Sequence, residues 1–290
     1  MVKRTIRVIA SVAIIALFGL WLVSNWRESF DSAHVPPASS EAALAKRRAE
    51  AAPGQYNVGH PARDGARTVA SILAGRRNVL EGLTEALAVF GPKDPDLISA
   101  AGMALAACGV AQSAEHAMGD PRGDLQDRRK LEALEKLLIQ CEGFDGVAFI
   151  KQLDTYEHKA VGDALLAPRS DTQLATAHRV IATGVNTLDL SMAGHSLIRQ
   201  ERLPLDEILG AEASSDRLQL LGNWSLAAEL STCPRQLGCG PDSLPTLVAC
   251  MQMGGCEPGE GYAKALEKSL PAEDFRKVLA FRQWIARQRR

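Results

Sequence analysis

The chain has 290 residues, 46% of them hydrophobic, 23% charged and 5% aromatic, with 33 Lys+Arg against 34 Asp+Glu. This composition excludes a disordered chain, a collagen-like one and a polytopic membrane protein, because there is apolar side chain enough for a core but only one long apolar run. The net charge of −1 averages unlike parts: residues 1–26 carry three basic residues and no acid, and six basic residues follow the last acid, Asp274, which leaves −10 for residues 27–275. An acidic body argues against a nucleic-acid-binding face.

The run Val8–Val23 carries no charge over sixteen residues and follows Lys3, Arg4 and Arg7. As a helix it covers about 24 Å, and Ile6 and Trp26 at its edges bring it near the ~30 Å of a hydrocarbon core. Two readings compete. A cleaved signal peptide needs a small-x-small site, whereas this segment ends Val23-Ser24-Asn25-Trp26 with a bulky interfacial tryptophan, which favours a retained anchor. Residues 1–26 are therefore expected to be a signal-anchor in the inner membrane, single-pass, with the remainder in the periplasm. The alternative is a periplasmic or secreted protein after signal cleavage. Residues 27–65, punctuated by Pro36-Pro37, Ser39-Ser40, Pro53-Gly54 and Pro61, read as a flexible stalk.

From residue 66 onward the pattern is helical. Val69, Ile72, Leu73, Leu80, Leu83, Leu87 and Phe90 fall at three- and four-residue steps and predict one helix ended by Gly91-Pro92. Asp96 is expected to cap a second, with Leu97, Ala101, Leu105 and Cys108 on one face. A third starts near Asp127 with Leu131, Leu134, Leu138 and Cys141 along a seam. A shorter helix spans 156–166. From Asp171 to Arg199, the residues Leu174, Ala177, Ile181, Val185, Leu188, Met192, His195 and Ile198 trace a nearly continuous stripe, with a kink at Gly184. Further helices are predicted at 216–232, 242–253, 260–269 and 272–288. Little of the chain alternates with period two, so the expected fold is all-α, a helical bundle or an irregular α-solenoid-like array stapled by disulfides.

Six cysteines, Cys108, Cys141, Cys233, Cys239, Cys250 and Cys256, suit an oxidising compartment. Cys108 and Cys141 lie equidistant from the loop-like stretch between Gly119 and Asp127, where an antiparallel helical hairpin would place a crosslink. In the stretch 233–256, Pro234 and Gly238 within the first close pair, Gly240 just after it and Gly254-Gly255 within the second mark non-helical turns, which fits local bridges Cys233 to Cys239 and Cys250 to Cys256. The nested alternative needs a turn centred on Leu244, where Asp242-Ser243 reads instead as a helix cap. The short knuckle spacings of structural zinc sites are missing, and so is C-x-x-C redox spacing. The stretch CPRQLGCGPDSLPTLVACMQMGGC, with an echo around Cys108 and Cys141, resembles the ending of exported, helical, cysteine-paired bacterial proteins of uncharacterised function. That resemblance implies no activity, cofactor or functional residue.

No nucleophile elbow, S-x-x-K, HExxH, Walker loop or complete dinucleotide fingerprint is found. Among the six histidines, His195 interrupts an apolar stripe and His178 shares its predicted helix. These two are the candidates for a scattered catalytic site, although His195 reads better as a core histidine hydrogen-bonded to a neighbour. His116 and His158 read as solvated surface, and Asn223-Trp224-Ser225 as a chance sequon. On the last helix, Phe275, Val278, Leu279 and Ile285 are expected to face inward with the basic residues outward. No cofactor or metal is expected. The function this supports is a membrane-anchored envelope protein acting as an interaction or accessory module for a protein partner. The alternatives are an envelope enzyme built on a His/carboxylate site and a structural protein contacting lipid or peptidoglycan.

Overall fold

Side-chain oxygens start many of the helices. Asn78, Asp94, Asp145, Ser170, Asn186 and Asp216 each accept a hydrogen bond from a backbone N–H two or three residues on, satisfying donors that a helix start leaves unpaired. In the computed structural model, residues 67–74, 76–117, 125–166, 170–184, 186–210, 216–254 and 256–289 are described. The expected membrane segment at 1–26 and the stalk at 27–65 lie outside them. Arg63–Arg290 form one compact unit.

Thirteen helices and no strand occur among the described residues. They are α1 (Val69–Leu73), α2 (Val79–Phe90), α3 (Pro95–Ala117), α4 (Leu125–Gln140), α5 (Gly146–Ile150), α6 (Tyr156–Leu166), α7 (Asp171–Thr183), α8 (Thr187–Arg199), α9 (Leu205–Leu209), α10 (Arg217–Thr232), α11 (Leu244–Met253), α12 (Tyr262–Ser269) and α13 (Ala272–Gln288).

Three sequence expectations are corrected by these caps. The first predicted helix breaks into α1 and α2, because Asn78 turns extended and caps Glu81. The second is capped by Asp94 rather than Asp96, with Pro95 at the first helical position, where its missing N–H is harmless. The long stripe from Asp171 does not kink at Gly184 but ends there, and Asn186 starts α8 afresh in a new rotational register. As a result Leu190, Ala193, Leu197 and Ile198 are buried on α8, while Leu188 and Met192 are only half-buried.

α3 and α4 form the hairpin joined by Cys108 and Cys141, whose Cα atoms are 5.5 Å apart. Helix α11 packs on both of them, and Lys136 and Gln140 of α4 donate to Asp242 at distances of 2.7 Å. A second set of helices surrounds α10. Helix α8 runs antiparallel to it, with Thr187 near Thr232 and His195 near Leu221. Helix α13 runs parallel to it: Asp274 accepts from Gln219 (2.7 Å) and Asn223 (3.3 Å), and further along Trp224 meets Phe281 and Trp284 edge-on at centroid distances of 5.4 and 6.0 Å. Asn223 of the sequon is therefore buried and engaged. Trp224 is fully buried, its Nε1 donates to the Leu190 carbonyl (2.8 Å), and Gly194 of α8 lies against its indole.

Two basic residues depart from the expected outward placement, Lys277 on the last helix and Arg289 just after it, whose Nε and Nη2 are buried. Lys277 is fully buried, its Nζ donating 2.6 Å to the exposed Glu273 one turn earlier, while Phe275 and Leu279 are half-buried and Phe281 and Trp284 fill the core. A lysine can lay its four-carbon stem along apolar surface and still reach a carboxylate. Pro95–Ala114 within α3 is long and apolar enough to cross a membrane by length and composition; half of that window is buried, and Cys108 joins it to α4.

Candidate functional site

Polar side chains gather at three places, all on or beside α10. The first is a junction of four helices. Asp96, in the first turn of α3, accepts from Arg235 through Nη2 (2.6 Å) and Nε (3.2 Å), and its other oxygen accepts from Gln236 Nε2 (3.1 Å). Gln236 Oε1 accepts from Ser99 of α3 (3.1 Å) and from Thr187 of α8 (2.8 Å), and the Thr187 hydroxyl contacts that of Thr232 at the end of α10. The Arg235 carbonyl accepts from Ala70 N of α1 (3.0 Å). Gln236 is 0% exposed, so the loss of one of its bonds leaves a buried group unsatisfied, whereas the Arg235–Asp96 pair is only partly buried.

The second place is His195. Its Nε2 lies 2.9 Å from Ser225 Oγ and 3.2 Å from the Leu221 carbonyl, and Ser225 Oγ itself donates to that carbonyl at 3.1 Å. With the serine proton committed to Leu221, the tautomer that satisfies all three groups carries hydrogen on Nε2, so the imidazole donates to Ser225. This is the reverse of a general base activating a serine, which must accept the hydroxyl proton. Burial holds the His195 pKa down at about 4, against the upward pull of the Leu221 carbonyl and with a smaller downward push from Arg199. The imidazole is therefore neutral at pH 7. His178 is exposed on α7, and neither it nor a carboxylate is among the hydrogen-bond partners of His195. The side chains of His116 and His158 lie outside the described residues.

The third place joins α10 to α12. The hydroxyl of buried Tyr262 donates to the carboxyl of half-buried Glu229 between the two helices. Burial pushes Glu229 up to about 7, with the tyrosine hydrogen bond opposing, and the same burial, followed by the charge of Glu229, raises Tyr262 well above its ordinary value. The backbone locks this contact from the other side. Cys233 follows α10 and lies 5.4 Å, Cα to Cα, from Cys239, and the Cys239 carbonyl accepts from Tyr262 N at 3.0 Å. Beside it opens a cavity of about 260 Å³ lined by Leu230, Cys239, Gly261, Ala263, Lys264 and Arg282.

Cys250 and Cys256 lie 5.3 Å apart, Cα to Cα, across the end of α11, where Gly254 takes the left-handed conformation (φ 69°) that a side chain disfavours. The four carboxy-terminal cysteines thus pair locally and not in the nested order. Among the described residues no group of three or more His, Cys, Asp or Glu is placed to hold a metal ion.

Sequence reasoning singled out His195 but missed Ser225, Glu229 and Tyr262. A usable signal for Glu229 was present, an acid within the otherwise small and apolar Ser225–Leu230 stretch of a core helix. Comparison with protein-family models, with curated proteins and with solved structures finds no match to this chain. What the fold and its polar clusters define is a class: an all-helical domain with three cysteine pairs at disulfide distance.

Proposed function

We propose that the protein is an interaction module of the cell envelope, held by residues 1–26 as a single-pass inner-membrane anchor, with the helical domain on the periplasmic side engaging a protein partner. The observation that carries this reading is how the polar groups of the domain are used. Asp96, Arg235 and Gln236 bind one another, His195 donates into its own helix pair, and six cysteines are paired, so these groups hold helices in place. Outside that framework the domain presents apolar side chains to solvent, Val89, Ile139, Val147, Leu166 and Leu218, each on a helix. A rigid helical surface of this kind acts by presenting a face.

The sequence supports the placement through the basic Lys3, Arg4 and Arg7 before the uncharged Val8–Val23, and through cysteines that pair in an oxidising compartment. Links across the chain, such as Asp96 to Arg235, favour a bundle over a solenoid, in which each repeat touches only its neighbours. The resemblance of residues 233–256 to exported bacterial proteins points the same way.

Crosslinking in membranes followed by detergent extraction tests the proposal. A stoichiometric protein partner is the expected result; recovery of the chain alone as a monomer refutes the interaction reading. Recovery in the soluble fraction, with a mature amino terminus beyond residue 23, refutes the anchor.

A further inference from the structure

We infer that Arg289 and Arg235, brought together where α13 ends beside the turn after α10, form a binding site for a small oxyanion, a phosphate or carboxylate group gripped by the Nε–Nη2 edge of Arg289. Among the described residues, the buried side-chain nitrogens and oxygens that no hydrogen bond reaches are Arg289 Nε and Nη2. A buried donor without an acceptor is costly, the more so on a charged group, and it points to an acceptor that the helices themselves do not supply.

Which two atoms are unmatched narrows the ligand. Nε and Nη2 share one edge of the guanidinium plane with their N–H bonds side by side, a fork that matches two oxygens of a carboxylate or phosphate. One unmatched nitrogen needs only a water, whereas an entire unmatched fork fits an oxyanion. Arg235 shows the same edge in use, its Nε and Nη2 lying 3.2 and 2.6 Å from Asp96 Oδ2.

Helix register builds the pair. Helix α13 runs parallel to α10 and meets it through Asp274 with Gln219 and Asn223, residues 55 and 51 apart in sequence. Arg289 and Arg235, 54 apart, continue that register to the far end of the same contact. The Asp96 carboxylate beside them is already engaged, since one oxygen receives both Arg235 nitrogens and the other receives Gln236 Nε2 at 3.1 Å. Two guanidiniums therefore share one carboxylate, and the cluster keeps a net positive charge. Burial first, and then the charge of Arg235, hold the Arg289 pKa below its ordinary value, with Asp96 opposing. Arg289 as a whole is half-buried and follows the last turn of α13, so its exposed surface lies elsewhere than on the fork. An anion reaches the fork when the side chain turns outward, which exchanges an unmatched edge for two charge-assisted hydrogen bonds with Arg235 alongside.

Titration of the full chain with inorganic phosphate, and separately with acetate, tests the site, with ionic strength held constant by chloride. The readouts are Tm and the nitrogen NMR signal of Arg289 Nε. The expected result is a saturable shift of that signal and a Tm rise of about 3–6 °C at roughly tenfold excess over Kd. The rise should vanish in Arg289→Gln and shrink in Arg289→Lys, which keeps the charge without the fork. A response to phosphate only assigns a phosphoryl ligand, and a response to acetate, with or without phosphate, admits carboxylates. An equal Tm rise in wild type and Arg289→Gln is the general effect of ions excluded from protein surface and overturns the inference. Should the variants fail to fold, the wild-type Nε signal decides alone: saturation supports the site, and an unchanged or linearly drifting signal overturns it.

Discussion

Gly194→Ala is the sharpest available probe of how the core is built. A Cβ placed at Gly194 overlaps the indole of Trp224, which is fully buried and packs edge-on against Phe281 and Trp284. Overpacking of this kind costs about 1–3 kcal/mol. Displacing the indole also threatens its hydrogen bond to the Leu190 carbonyl, about 1 kcal/mol, and two edge-on aromatic contacts of roughly 0.5–1.5 kcal/mol each. Alanine returns about 1 kcal/mol through its higher helix propensity. The net expectation is a loss of about 3 kcal/mol, or a fall of roughly 10 °C in Tm for a domain of this size. Gly102→Ala is the matched control, because Gly102 lies mid-helix in α3 and a Cβ there meets nothing within 4 Å. It should gain up to about 1 kcal/mol. Urea unfolding followed by far-ultraviolet dichroism measures both, with near-ultraviolet dichroism reporting on the tryptophan environment. If the two variants shift stability alike, close packing of α8 on Trp224 is not what holds these helices together.

Three further outcomes follow from the same structure. Replacing Cys108 and Cys141 together by serine removes a crosslink between residues 33 apart and should destabilise by about 3–4 kcal/mol in the chain-entropy model, measured against the oxidised wild type in urea. Asp96→Asn should cost about 1–3 kcal/mol, since it removes the charge partner of Arg235 and disturbs the bond to buried Gln236; Tm measured across salt concentrations separates the ionic part. His195 is held near 4 in the fold against 6.5 in the open chain, so the unfolded chain binds more protons between those values and stability falls as pH drops through that window. The loss reaches up to about 3 kcal/mol by pH 4. His195→Gln should flatten that acid limb in urea titrations at pH 4 to 7, and an unchanged limb would place the sensitivity elsewhere.

The helix starts expected at 216 and at Asp171 fall where Asp216 and Ser170 cap α10 and α7. Asn78 and Asn186 carried the same signal inside longer stripes, and the continuity of apolar residues concealed it. Helices α5 and α9, five residues each, are too short for periodicity to register. The close cysteine pairs were readable because Cys233 and Cys239 bracket Pro234 and Gly238, and Cys250 and Cys256 bracket Gly254-Gly255. The polar clusters were not, since Asp96 and Arg235 lie 139 residues apart and Glu229 and Tyr262 lie 33 apart. Nothing local marks which distant side chain will satisfy a buried group. Lys277 shows the same limit from the other side: its charge reads as surface, and only the packing of its neighbours reveals a buried stem.

The order of the cysteine pairs bears on how the chain matures. First joins second, third joins fourth and fifth joins sixth along the sequence. A domain that emerges into an oxidising space in sequence order therefore presents each thiol's correct partner as the next thiol to arrive. Oxidation can follow emergence without a wrong bond that must later be exchanged, and exchange is the slow step when pairs are interleaved. If the domain is exported as proposed, loss of an isomerase should leave its yield unchanged, whereas slower thiol oxidation should lower it.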